Sequence, residues 1–169
     1  MTRCYLLFGS NQGDKKALWE QACHTVSMRC GMLVEKSSLY LSEPWGFEAE
    51  EWFLNALMVV ETRLSPDELM DELLDIEREL GRVRHPEKEG YSSRTIDLDI
   101  LYYGNQIIRT TKVTAPHPRL HLRRFALMPL CEIIPDFLHP EFDLSQQELL
   151  DRCPDTSTIQ PLNNTNTKP

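Results

Sequence analysis

What most constrains this chain is the order of its hydrophobic patterns. Four runs of strand length are interrupted by two helix-patterned segments, in the order strand, helix, strand, strand, helix, strand. Residues 3–8 (RCYLLF) are apolar and aromatic, and Gly9-Ser10-Asn11-Gln12-Gly13 stops them, which predicts a strand and a tight turn. Asp14 suits the N-cap of a helix whose apolar face would be Leu18, Ala22, Thr25 and Val26, with Gly31 as its stop. Residues 32–41 (MLVEKSSLYL) and 53–62 (FLNALMVVET) predict the second and third strands, the third largely apolar and therefore central. Ser65-Pro66-Asp67-Glu68 supplies an N-cap, an N1 proline and a capping box to a helix carrying Leu69, Leu73, Ile76 and Leu80 on one face. Residues 95–103 (TIDLDILYY) predict the fourth strand. A helix over 122–134, kinked at Pro129, and a helical turn or two over 145–151 complete the pattern. The βαββαβ order specifies an α+β, ferredoxin-like core: an antiparallel sheet with helices on one face, here with additional C-terminal helices. Residues 1–155 are expected to form a single domain, and the polar, core-poor 156–169 a disordered tail.

The charge balance bears on partners. The chain carries 18 Lys+Arg against 26 Asp+Glu, a net charge of −8, whereas nucleic-acid and membrane binders need an excess of basic residues. The average conceals an asymmetry. Residues 78–94 and 109–124 hold ten of the 18 bases and three of the 26 acids, a local +7 set against −15 elsewhere. A polyanionic small molecule is therefore compatible with the acidic total. The five cysteines are odd in number and scattered without a C-x-x-C pair, which argues for reduced thiols rather than a disulfide or zinc framework. No apolar run approaches the ~20 residues of a membrane span, and the N-terminus lacks a signal-peptide core. The expected setting is cytoplasmic.

Asp97 and Asp99 are the leading chemical candidates. Residues two apart on a strand point the same way, so both carboxylates project from one side while Ile96, Leu98 and Ile100 face the other. Paired hard oxygen ligands suit Mg²⁺, which takes one or two carboxylates and completes its shell with substrate phosphates and water. A solvated polar strand face is the competing reading. Arg94 just ahead of the pair, with Arg82 and Arg84 opening the preceding loop, adds the cationic groups that phosphoryl transfer requires. Lys112, His117, Arg119, Arg123 and Arg124 form a second basic stretch without an acid, and Pro116 and Pro118 stiffen the backbone around His117. Trp45, Phe53 and Phe125 could stack on a flat heterocycle and Asn55 could read its edge, although such residues more often pack in cores or loops. Phosphate-loop, dinucleotide-binding, zincin and nucleophile-elbow motifs are absent.

The pattern resembles the 6-hydroxymethyl-7,8-dihydropterin pyrophosphokinases. The residues that carry the resemblance are Gly9-Ser10-Asn11 with Gly13-Asp14, Glu43-Pro44-Trp45-Gly46, Phe53-Leu54-Asn55, and Ile76-Glu77 leading to Gly81-Arg82-Val83-Arg84. Strongest are Arg94-Thr95-Ile96-Asp97-Leu98-Asp99-Ile100-Leu101 and Pro116-His117-Pro118-Arg119 followed by Arg123-Arg124-Phe125. The resemblance implies transfer of pyrophosphate from ATP to the hydroxymethyl group of the pterin, leaving AMP, a step of folate biosynthesis. It implies two Mg²⁺ held by Asp97 and Asp99, and phosphate clamping by Arg82 and Arg94 from a closing loop. It assigns nucleotide contacts to Glu77, Ile100, Lys112, Thr114, His117 and Arg123, and a pterin pocket to Pro44, Trp45, Phe53, Asn55 and Phe125. The expected state is a monomer whose partners are its two small-molecule substrates. The chain departs from many relatives at Glu89-Gly90-Tyr91-Ser92-Ser93, where they carry Arg-Trp-Gly-Pro; Leu74 replaces a glutamine that some relatives use, and Phe53 stands where a tyrosine is also found. Rival readings are another Mg²⁺-dependent phosphoryl or nucleotidyl transferase, a ferredoxin-like RNA-binding module, and an inactive regulatory domain. An RNA module would show a basic-aromatic strand where this chain places Asp97 and Asp99.

Overall fold

Local chemistry starts both core helices where the sequence places them. In the computed structural model, which describes residues 1–44, 51–81 and 96–162, Asp14 accepts a hydrogen bond from Ala17 N and opens α1 (Lys15–Arg29). Ser65 and Glu68 form the reciprocal capping box of α2 (Pro66–Glu79), with Pro66 in the first turn. The strands around them are β1 (Thr2–Ser10), β2 (Met32–Lys36), β3 (Tyr40–Ser42), β4 (Phe53–Thr62) and β5 (Asp97–Tyr103). Two short strands, β6 (Ile108–Arg109) and β7 (Thr114–Ala115), make a separate hairpin. A 3₁₀ turn (Leu120–Leu122), α3 (Arg124–Ile133), α4 (Gln146–Arg152) and β8 (Ile159–Pro161) follow.

The main sheet is ordered β5-β1-β4-β3-β8, with β2 also on β4, and every pairing is antiparallel. The expected second strand is divided: β2 and β3 pair with the same side of β4 but differ in register by one residue. Ser37 holds the break, its amide donating to Leu57 O at 2.9 Å and its hydroxyl accepting from Leu57 N at 2.8 Å. Across the gap Glu132 of α3 accepts from Ser38 N and Oγ and from the Tyr40 hydroxyl, at 2.5–2.8 Å.

Period-two alternation sorts the side chains into two cores. Cys4, Leu6 and Phe8 of β1, with Leu54, Ala56, Met58 and Val60 of β4 and Leu98 and Ile100 of β5, pack under α1 and α2. Tyr5, Leu7, Leu57, Val59, Leu101 and Tyr102 face the other way, onto Ala126, Leu127 and Leu130 of α3 and Leu149 of α4. Helices therefore cover both faces of the sheet, not one, because the C-terminal helices take the face a bare βαββαβ core would leave wet. Gln146 secures α4 there by donating to the Tyr102 hydroxyl (2.9 Å) and Phe137 O (3.0 Å).

Three further expectations are corrected. The buried stripe of α1 is Trp19, Ala22, Cys23 and Val26, one step round from the predicted face, because the Trp19 ring meets Phe8 edge-on at 5.3 Å. The predicted 122–134 helix begins as the 3₁₀ turn and becomes α-helical only at Arg124, continuing through a buried Pro129. The tail is ordered as far as Leu162: β8 pairs with β3 in the register Ser42↔Ile159, Leu41↔Gln160, Tyr40↔Pro161, and Leu162 N donates to Leu39 O at 2.7 Å. Backbone pairing to an open sheet edge needs no apolar side chains, so the polar composition misled there. Residues 163–169 lie outside the described residues.

Candidate active site

The register of three adjacent strands builds the site. Gly9 on β1 stands opposite Asn55 on β4 and opposite Asp97 on β5, and one step further in Leu7 stands opposite Leu57 and Asp99. These positions share the α3 face of the sheet, so Asn55, Gly9 and Asp97 form one transverse row at the end of the strands where the α3 layer begins. Two strand spacings, about 10 Å, separate the outer members of this row. Gly9 has no side chain, and the middle of the row is a shallow floor. A Cβ placed there would come to 3.4 Å from Asn55 Oδ1 and 3.8 Å from the Phe53 ring. The Asn55 side chain is fixed by its amide group, which donates to Ser42 Oγ at 2.6 Å. That bond assigns the nitrogen to Ser42 and turns the carbonyl oxygen toward the glycine.

Asp97 and Asp99 lie together on this face of β5, and Ile96, Leu98 and Ile100 are buried under the α1–α2 layer, as the alternation requires. The backbone between the two aspartates is held from behind: Glu77, 2% exposed on α2, accepts from Leu98 N at 3.0 Å. Arg123 approaches from above as the N-cap residue of α3, with 8% of its side chain exposed and Nη1 4.0 Å from Asp99 Oδ2. Its guanidinium also lies over the Phe125 ring, 5.7 Å from the centroid.

His117 follows a cis Ala115–Pro116 bond, and its amide donates to Leu101 O of β5 at 2.9 Å. Burial pushes the imidazole down to about 4, with Arg123 and Arg119 lowering it further and Asp97 opposing. The ring is neutral at pH 7. Its Nδ1 accepts from Arg119 N at 3.1 Å, which puts the single ring proton on Nε2. Lys112 and Thr114 are exposed on the β6–β7 hairpin, which leans on α2 through the Lys112–Asp71 pair at 2.8 Å and a Thr110–Asp67 hydrogen bond at 2.5 Å.

The structure places Phe53 and Asn55 on the β4 flank of the Asp97–Asp99 pair, with Pro44 just beyond Ser42 on β3, and Phe125 under the Arg123 guanidinium. Glu77, Lys112, Thr114 and His117 stand at the opposite, β5 side. Ile100 contributes no side chain to the site, since it is 2% exposed in the opposite core. Trp45, Arg82 and Arg94 lie outside the described residues. Two positions were missed by the sequence reading as functional: Gly9, whose contribution is an absent side chain, and Ser42, which orients Asn55. The signal for both is cross-strand register, which spacing along the chain does not carry.

Two carboxylates on one rigid strand fit a divalent cation that takes its remaining ligands from phosphate and water. Among the described residues no group of three or more His, Cys, Asp or Glu could hold a metal by itself. No helix of the described residues is long and apolar enough to cross a membrane.

Comparison with known proteins places the chain in a family. The chain is 38% identical over 142 residues to the 2-amino-4-hydroxy-6-hydroxymethyldihydropteridine pyrophosphokinase of Porphyromonas gingivalis, covering 83% of this chain and 96% of that protein. It is 40% identical over 141 residues to the enzyme of the same name from Haemophilus influenzae, covering 83% and 86%. Among solved structures, the wild-type HPPK-DHPS of Plasmodium falciparum superimposes with a TM-score of 0.69 at 17% identity, over 90% of this chain and 43% of that one. This chain spans less than half of that longer polypeptide, and the likeness establishes the fold. The profile of the 7,8-dihydro-6-hydroxymethylpterin-pyrophosphokinase family matches residues 5–135, a span containing the glycine floor, the Asn55 amide and both aspartates, and the chain belongs to that family.

Proposed function

We propose that the chain transfers the terminal diphosphate of ATP to the hydroxymethyl group of 6-hydroxymethyl-7,8-dihydropterin, giving the pterin diphosphate and AMP in folate biosynthesis. The observation that carries this reading is the Asn55–Gly9–Asp97 row. It sets a reader of hydrogen-bond edges and a charged reaction centre about 10 Å apart across a flat floor, which suits a two-ring heterocycle with a one-carbon arm.

Asn55, held by Ser42, presents its oxygen to ring N–H groups, and Phe53 and Phe125 flank the ring faces, with Pro44 on the β3 side and Trp45 joining the pocket by family resemblance. The arm then lies against Asp97. Arg123, Lys112 and the neutral His117 Nε2–H meet phosphate oxygens from the β5 side, and Thr114 and the Ile100 backbone adjoin the nucleotide. By family resemblance, Arg82 and Arg94 supply further positive charge to the triphosphate. Glu77 acts from beneath, fixing the peptide between the aspartates. Asp97 and Asp99 would hold Mg²⁺, two ions by family resemblance, which supplies charge neutralisation and a lowered hydroxyl pKa when bound. No covalent intermediate is required, because the reaction depends on alignment and charge compensation. The protein works as a monomer in the cytoplasm, a setting in keeping with its free cysteines.

The test is product analysis. AMP should form only when ATP, Mg²⁺ and the hydroxymethyl-dihydropterin are all present, and Asp97→Asn and Asp99→Asn should abolish it while unfolding transitions stay cooperative. ADP as the product, or ATP consumption indifferent to the pterin, overturns the proposal.

A further inference from the structure

The segment that follows α4 lies beyond the matched span 5–135 and touches both walls of the pterin pocket. At one wall, Asp155 Oδ2 accepts from the backbone N of Arg124, the first residue of α3, at 3.0 Å. Arg124 is flanked by Arg123 and Phe125. The N-cap residue of this helix is Arg123, which makes no side-chain cap, and the Asp155 carboxylate supplies from a distant part of the chain an acceptor for the first of the N–H groups that a helix start leaves without an intrahelical partner. Asp155 is itself held: its Oδ1 accepts from Ser157 N (2.9 Å) and Ser157 Oγ (2.6 Å). Arg124 Nη1 also reaches Ser157 O at 3.5 Å.

At the other wall, Glu43 N donates to Thr158 O at 3.2 Å and the Glu43 carboxylate accepts from Thr158 N. Glu43 is flanked by Ser42, the partner of Asn55, and by Pro44. The next three residues, β8, pair with β3 through Ser42↔Ile159. From Asp155 to Thr158 the chain therefore spans from the helix turn bearing Phe125 and Arg123 to the strand end bearing Ser42 and Pro44.

We propose that residues 155–162 form a strap that sets the width of the pterin pocket, with Asp155 as a positioning residue for Phe125. The inference rests on the pterin reading of the site. Asp155 acts as an acceptor at a helix end, so a neutral acceptor of the same shape should serve, since Asn and Asp are comparable N-caps.

Asp155→Ala should raise the KM for the hydroxymethyl-dihydropterin by roughly tenfold, with kcat changed by less than about threefold. Asp155→Asn should restore KM to near wild type. Glu43→Ala, which removes the side-chain half of the second anchor, should shift KM in the same direction by less. Hydrogen exchange gives a reading independent of turnover: in Asp155→Ala the amides of 124–126 should exchange faster while those of β1 and β4 stay protected. Loss of kcat or thermal stability with an unchanged pterin KM would mean a merely structural role and overturns the proposal. So does an Asp155→Asn variant as impaired as Asp155→Ala, or unaltered exchange at 124–126. A wild-type chain that makes no AMP refutes the proposed function, and the exchange measurement then still decides whether Asp155 orders the start of α3.

Discussion

Gly9→Ala separates the stability of the fold from the function of its floor. The substitution adds one methyl group to the middle of the Asn55–Gly9–Asp97 row. Its φ is not in the left-handed region, and the added Cβ would meet Asn55 Oδ1 at 3.4 Å and the Phe53 ring at 3.8 Å, both ordinary contacts. The unliganded protein should therefore accept alanine, and the loss of unfolded-state freedom should add about 0.4–1 kcal/mol of stability. The ligand should not accept it. A ring lying on the glycine must rise by the thickness of a methyl or tilt away from Asn55, and overfilling a fitted site costs about 1–3 kcal/mol. That corresponds to a loss of pterin affinity of about 5- to 140-fold. The assay is equilibrium titration of hydroxymethylpterin in the presence of Mg²⁺ and a non-hydrolysable ATP analogue, paired with denaturant unfolding of the same samples. The analogue alone should bind Gly9→Ala and wild type alike. Unchanged pterin affinity in a folded Gly9→Ala protein would refute the argument, since the ring could not then lie on Gly9 as proposed. A large loss of stability would refute it differently, by showing that the space above Gly9 is needed by the protein itself.

Removing Glu77 should loosen β5 where the two aspartates stand. Glu77→Ala leaves the buried Leu98 N–H without its acceptor and should cost about 1–3 kcal/mol in unfolding, whereas Glu77→Gln retains an acceptor oxygen and should cost clearly less; equal losses would mean that the hydrogen bond is not the reason for the acid. Lys112→Ala should leave the unfolding midpoint unchanged, because the Lys112–Asp71 pair is solvent-exposed, while raising the KM for ATP several-fold. A lowered midpoint with an unchanged KM would reverse that assignment. His139 supplies a pH signature. Burial holds its pKa below the ordinary imidazole value, and its Nδ1 accepts from Glu141 N (3.1 Å) and Phe142 N (3.2 Å), so the folded state needs the neutral ring. The unfolded chain then binds more protons as pH falls below about 6.5, and His139 should lower stability there by at most about 1.4 kcal/mol per pH unit, beside a similar contribution from the neutral His117. His139→Asn keeps an acceptor for those amides and should remove its share of this slope, leaving that of His117; an unchanged slope would place the titration elsewhere.

How much of this site was legible depends on what each residue contributes. Asp97 and Asp99 were legible because period-two alternation is a local property: one strand, read alone, puts both carboxylates on one side and Leu98 and Ile100 on the other. The two helix starts were legible for the same reason, since a capping box is written within four residues. The β2–β3 break was not, because it is imposed by Ser37 bonding to Leu57, twenty positions away. Gly9 was passed over as a turn residue, because a missing side chain has meaning only once Asn55 and Asp97 are known to stand on either side of it. Asp155 lay furthest from view: it sits in a polar stretch whose composition resembles disorder, and it completes a helix that begins thirty-one residues earlier. Composition reports what a segment can bury, and this segment buries little. Its order comes from backbone groups that β3 and α3 leave to be satisfied, a demand written in those elements and not in the strap. The sequence of a small enzyme should therefore reveal the groups that carry charge sooner than the groups that hold them in place, because the first act through their own chemistry and the second through the unmet hydrogen bonds of distant neighbours.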